Sequence, residues 1–127
     1  MLADAAAEVD VDGEPALLLR EHVAEVEAAE PTDAVTLLAG HDQWVLGPGT
    51  ADARVVPAAR RAGVTRGAAL VLRGGVVSGT WASGPDGALD VTWFTEAGAP
   101  PRDALAAEAD RLAALLGRAP DLRVATG

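Results

Sequence analysis

Residues 69–81 read Ala69-Leu-Val-Leu-Arg-Gly74-Gly75-Val-Val-Ser-Gly-Thr-Trp81. Two apolar runs flank a Gly-Gly pair. Glycine accepts positive φ at both central turn positions, which a two-residue type I′ hairpin demands. The stretch therefore predicts a strand over 68–73, a tight turn, and a strand over 76–82. Gly84-Pro85-Asp86-Gly87 marks the next turn, and Leu89–Thr95 follows as a third strand. There Leu89, Val91 and Trp93 fall on one face, and Asp90, Thr92 and Phe94 on the other. The expectation is a three-stranded meander.

Working outward, Val35–Leu38 and Gln43–Leu46 read as further strands around Gly40-His41-Asp42. Gly47-Pro48-Gly49 is a break, and Pro57–Ala62 suits one helical turn ended by Gly63. Near the start, Glu8–Val11 and Pro15–Leu19 form a hairpin about Asp12-Gly13. Arg20–Ala29 then reads as a short helix closed by Pro31, weakened by like charges on Glu21 and Glu25 at i, i+4. Pro100 and Pro101 open a helix over Arg102–Leu116, and Gly117 suits its end. Leu105, Ala109, Leu112 and Leu116 make its apolar stripe. The fold class expected is α+β: a small antiparallel β-barrel or strongly bent sheet, with a C-terminal packing helix and an N-terminal β-hairpin plus short helix. Residues 1–33 form the first part, 34–118 the barrel-like domain, and 119–127 a tail.

The chain has 127 residues, half of them apolar, enough for one core. It lacks Lys, Asn, Ile, Tyr and Cys, and all ten basic residues are Arg. Those first four residue types have AT-rich codons, which points to a GC-rich bacterial genome. No cysteine means no disulfide and no thiolate metal site. There is no basic segment leading into an apolar run and no apolar stretch of about 18–20 residues, so neither a signal peptide nor a membrane span is expected. A cytoplasmic protein is the default expectation.

The net charge of −9 is unevenly spread. Residues 1–33 hold ten acids against Arg20, while residues 34–127 hold nine acids and nine arginines. Between Asp52 and Asp86 there is no acid, yet Arg54, Arg60, Arg61, Arg66 and Arg73 lie there. Fields are screened over about 8 Å in physiological salt, so a local basic patch can contact phosphate on an acidic protein. The plain alternative is five solvated arginines.

Catalytic and metal patterns are thin. Nothing in the spacing brings His22 and His41 together for a metal, so no metal is expected. Ser78 lies inside a strand and not in a Gly-x-Ser-x-Gly elbow. Gly47-Pro48-Gly49-Thr50 lacks the Lys of a phosphate loop, and Asp10 and Asp12 simply flank a turn. No cofactor is implied. Trp44, Trp81 and Trp93 read first as core of the sheet, with the alternative that one lines a groove and stacks on a base or sugar.

Leu37, Leu38, Asp42, Trp44, Leu46 and Gly47, then Arg54 and Pro57, then Arg66, Val71, Leu72, Gly75, Val77, Gly79, Thr80 and Trp81 follow one pattern. It resembles the C-terminal part of winged-helix DNA-binding proteins of the crosslink-repair DNA glycosylase type, the AlkZ/YcaQ-like group. That group shows Leu-Leu-Pro-x-Phe-Asp-x-Tyr-Leu-Leu-Gly and, later, Val-Val-Gly-Thr-Trp. Here Ala39, His41, Gly67, Gly74 and Ser78 depart from it. The resemblance implies three tandem winged helices followed by a small β-barrel beside the DNA. On that basis residues 1–33 would be the remnant of a wing and a linker helix. The group's catalytic Gln-x-Gln or Gln-x-Asp is absent, since Gln43 is the only Gln and Trp44 follows it. The chain alone is therefore expected to be an accessory DNA-binding module and not an enzyme. Arg54, Arg60, Arg61, Arg66 and Arg73 would contact phosphates, with a possible groove at His41, Asp42 and Trp44. The partners implied are double-stranded DNA and a separate winged-helix polypeptide. The alternative is a protein–protein or structural module that has lost DNA binding.

Overall fold

A computed structural model describes residues 2–47, 49–117 and 121–127. The chain divides into two compact units, Met1–Pro31 and Thr32–Gly127.

The first unit contains α1 (Leu2–Ala5), β1 (Ala6–Val11), β2 (Glu14–Leu19), a 3-10 turn (Arg20–His22) and α2 (Val23–Ala28). β1 and β2 pair antiparallel up to Val11 opposite Glu14, as the Asp12-Gly13 turn predicts. Both turn residues have positive φ, 52° and 86°. Arg20 donates to the carbonyls of Asp4 and Ala6, tying the second strand's end to the chain start. His22 lies 3.6 Å from Glu21 and 3.5 Å from Glu25, so the two carboxylates that weaken this helix share one imidazole neighbour. Leu17 remains 76% exposed, and a two-stranded ribbon of this kind is marginal in water by itself.

The second unit runs β3 (Val35–Leu38), α3 (Gln43–Leu46), a 3-10 turn (Ala58–Arg60), α4 (Arg61–Thr65), β4 (Leu70–Arg73), β5 (Val76–Ser83), β6 (Leu89–Trp93), α5 (Arg102–Leu116) and β7 (Leu122–Thr126). Its sheet has the order β3-β4-β5-β6-β7. The meander is present: β4, β5 and β6 pair antiparallel in sequence, with φ of 58° and 80° at Gly74 and Gly75. The sheet is open, with β3 and β7 at its two edges, so of the two forms expected, barrel or strongly bent sheet, the closed barrel is not the one formed. The reason lies at the chain end. Residues 122–126, read above as tail, alternate Leu122 and Val124 toward the core and pair parallel with β6. A parallel return needs a crossover, which α5 supplies.

Two further expectations change. Gln43–Leu46 is helical because Asp42 accepts from the Trp44 N–H at 2.8 Å and caps the turn. The helical turn near Pro57 does not stop at Gly63 but continues through α4 to Thr65.

Each face of the sheet carries a core. On one, Val35, Leu37, Val71, Leu89, Val91 and Trp93 pack against Leu105 and Ala109 of α5. This is the stripe predicted for α5, with Leu112 partly buried beside it; the side chain of Leu116 lies outside the described residues. On the other face, Leu70, Leu72 and Val77 pack with Val45, Val56, Val64 and Phe94. The β3 edge is partly closed by side chains. The Leu37 N–H donates to Glu108 Oε2 at 3.1 Å, and the Trp81 indole N–H donates to the Leu38 carbonyl at 2.9 Å. Arg111, and then the Leu37 N–H, hold the Glu108 carboxyl below the usual carboxylate range. Among the described residues no helix is long and apolar enough to cross a membrane.

Candidate nucleic-acid interface

The five arginines separate into four groups. Arg54 forms a bidentate contact with Asp52, with Nε–Oδ1 at 3.0 Å and Nη2–Oδ2 at 2.9 Å. Its charge is offset by the acid that borders the acid-free window. Hydrogen bonds from the Arg54 side chain and backbone keep the Asp52 carboxyl below its ordinary value.

Arg60 is engaged more firmly. Its guanidinium donates to both Glu96 oxygens at 2.7 and 2.9 Å and to the Gly127 carbonyl at 2.7 Å. Its Cζ stands 4.0 Å from the Phe94 ring centroid. Thr95 N–H also donates to Gly127 O, and Gly127 N–H to Trp93 O, so Arg60 reinforces the attachment of the β7 end to β6. The Arg60 contact lowers the Glu96 carboxyl from the ordinary 4.5 to about 2. A carboxyl depressed on folding stabilises the fold above its unfolded value and loses that contribution as pH falls through the folded one. The melting temperature of the wild type should thus exceed that of Glu96→Gln near pH 6. The gap should close as pH falls from 4.5 toward 2. A gap independent of pH in thermal melts would refute this role.

Arg61 and Arg66 form the third group. They line one open depression of about 580 Å3 with Ala58, Ala62 and Thr65. Arg61 Nε donates to Thr50 Oγ1 at 3.3 Å, and the hydroxyls of Thr50 and Thr65 are 3.0 Å apart. Thr65 donates to the Arg61 carbonyl at 2.8 Å. The Arg66 backbone N–H donates to the Ala62 carbonyl at 3.1 Å, while its side chain makes no hydrogen bond or ion pair among the described residues. No carboxylate lines this depression.

Arg73 does not join them. It ends β4 and alternates with Leu72, so it lies on the face of Val71, whereas Val64 fixes α4 to the opposite face. The sheet stands between Arg73 and the Arg61–Arg66 pair.

His41, Asp42 and Trp44 share one loop and the start of α3 but serve differently. Asp42 is the cap described above. His41 is left-handed, with φ 57°, and its ring rests on Gly67 so closely that a Cβ there would collide with it. A Cβ at Gly40 would strike the Gly67 carbonyl oxygen. These two loops therefore approach backbone to backbone, placing His41 beside the residue that follows Arg66. Among the described residues no group of three metal-ligating side chains exists, His41 included. Trp44 is 72% exposed, while Trp93 is fully buried and Trp81 partly so. Of the three tryptophans, the core expectation fails at Trp44. The Asp52 and Glu96 partners escaped the sequence reading. Asp52 stands only two residues from Arg54, a visible signal; Glu96 stands 36 residues from Arg60 and gave none.

Comparison with known proteins places this geometry in a family. The interstrand DNA cross-link repair glycosylase of Streptomyces sahachiroi is 38% identical over 120 residues, which is 91% of this chain and 32% of that protein. The structure of Streptomyces sahachiroi DNA glycosylase AlkZ matches with a TM-score of 0.89 and 34% identity, covering 97% of this chain and 34% of that one. The chain thus spans about a third of the length of these relatives. The family model for AlkZ-like DNA glycosylases matches residues 1–115, and the chain belongs to that family.

Proposed function

We propose that Thr32–Gly127 is a DNA-contacting accessory module of an AlkZ-like glycosylase, holding the phosphate backbone through Arg61 and Arg66. The observation that carries this is the depression those two side chains line, with Thr65 beside them and no carboxylate in the lining. Guanidinium and hydroxyl donors suit phosphate oxygens, and such contacts position a duplex without reading its sequence. Arg73 could add a contact only from the other face of the sheet. Arg54 and Arg60 would first have to leave Asp52 and Glu96. In this reading residues 1–33 are a wing remnant and linker helix. Base excision belongs to winged-helix sequence carrying Gln-x-Gln or Gln-x-Asp, because Gln43, followed by Trp44 and Val45, is the only Gln in these 127 residues.

Salt titration tests it. Two phosphate contacts release counterions, so log K for a random duplex should fall against log salt with a slope of about −1.8. Absence of duplex binding at about 50 mM salt would defeat the proposal.

A second reading, a protein–protein or structural module, is favoured by one observation. Met1–Pro31 carries nine acids against Arg20, a net charge of −8, and would repel a duplex. A null result at low salt would select it.

A further inference from the structure

On the face of the sheet that carries Leu72, the core is incompletely covered near the β3 edge. An open groove of about 390 Å3 remains there, within the range of small-ligand sites. Thr36, Leu38, Leu72 and Gly75 line it together with Trp44, a residue that is 72% exposed. The lining holds threonine hydroxyls and apolar atoms and no charged side chain. An exposed Trp contributes nothing to the core and presents a flat apolar surface to solvent, so its position asks for a planar partner.

The surroundings indicate which partner. Trp44 lies three residues after His41, a reach of at most about 10 Å. The His41 ring rests on Gly67, and Gly67 follows Arg66. The His41–Gly67 contact thus brings the loop that leads into Trp44 against the loop that follows Arg66. An aromatic platform joined to paired guanidiniums matches the two parts of a nucleotide, base and phosphate. A fully paired duplex cannot use such a platform, because its bases are stacked on each other.

We infer that Trp44 stacks an unpaired base while Arg66 and Arg61 hold the adjoining phosphates, so that this module takes single-stranded or locally opened DNA. The inference rests on the phosphate-contact reading above and adds the preference for unpaired nucleotides. Stacking is worth enough that removal of the platform costs about tenfold in affinity. Sequence dependence should be slight, since every base offers a π-face.

The test uses the 127-residue chain with fluorescein-labelled oligothymidylate of about 12 nucleotides, and its duplex with oligodeoxyadenylate, at about 50 mM salt. Trp44→Ala should weaken oligothymidylate binding about tenfold and leave duplex binding within about twofold, whereas Trp44→Phe should restore most of the loss. Equal melting temperatures of the three proteins would confirm that folding is unaffected, as exposure of Trp44 leads one to expect. If the wild type binds neither probe, the phosphate-contact reading fails and takes this inference with it. If duplex binding persists while oligothymidylate binding ignores Trp44, this inference alone fails and the groove belongs to a protein segment. Equal weakening of both probes by Trp44→Ala would also overturn it.

Discussion

Replacing Trp93 with alanine is expected to lower the stability of the Thr32–Gly127 unit by about 3–5 kcal/mol. Trp93 is fully buried at the centre of the core that joins β3, β4, β6 and α5. Its indole N–H donates to the Gly98 carbonyl at 3.1 Å, directing the chain as it leaves β6 toward α5. Its backbone pairs with Gly79 on one side and Thr126 on the other, so surrounding strands cannot collapse readily into the void. A domain of this size holds only about 5–15 kcal/mol in total. The variant should therefore be largely or marginally unfolded at physiological temperature, and urea titration should show the fall in midpoint. A loss below about 1 kcal/mol would contradict the packing described. Trp44→Ala offers the internal contrast, with an expected change within about 0.5 kcal/mol.

The second large effect concerns binding. Arg61→Ala with Arg66→Ala should weaken duplex DNA affinity about 100-fold at low salt, roughly tenfold for each charge-assisted contact removed. The slope of log K against log salt should flatten toward zero, since no counterions would be released at this site. Arg73→Ala is the informative control, because the sheet separates that side chain from the pair. It should leave affinity within about twofold, as expected when no contact is lost. An equal loss from Arg73→Ala and from the double variant would show that binding follows total charge and not this depression. Melting temperatures should be nearly unchanged in the double variant, since the Arg61 and Arg66 side chains are exposed.

Local chemistry made much of this fold legible. Asp12-Gly13 and Gly74-Gly75 announce their hairpins because few residues tolerate positive φ at two successive positions. The α5 boundaries follow from paired prolines before it and a glycine after it. The family was legible for a related reason: its residues cluster where the turns and strands of this unit are most constrained. The candidate site was only partly legible. An acid-free run of arginines is visible in one dimension, but charge partners are chosen in three. Glu96 reaches Arg60 from beyond the meander, and the alternation of β4 turns Arg73 away.

What the amino-acid order determined by itself is the set of elements whose signals lie within a few residues: two tight hairpins, the meander and the long helix. Tertiary structure decided the rest. A short run such as Gln43–Leu46, one polar and three apolar residues, suits strand or helix equally, and the Asp42 cap settled it. Leu122–Thr126 becomes a strand only because α5 returns it beside β6, which leaves the sheet open. Trp44 and Trp93 are the same residue chemically. Their burial differs because long-range packing places Trp93 in the core beneath α5 and leaves Trp44 beside an open groove on the other face.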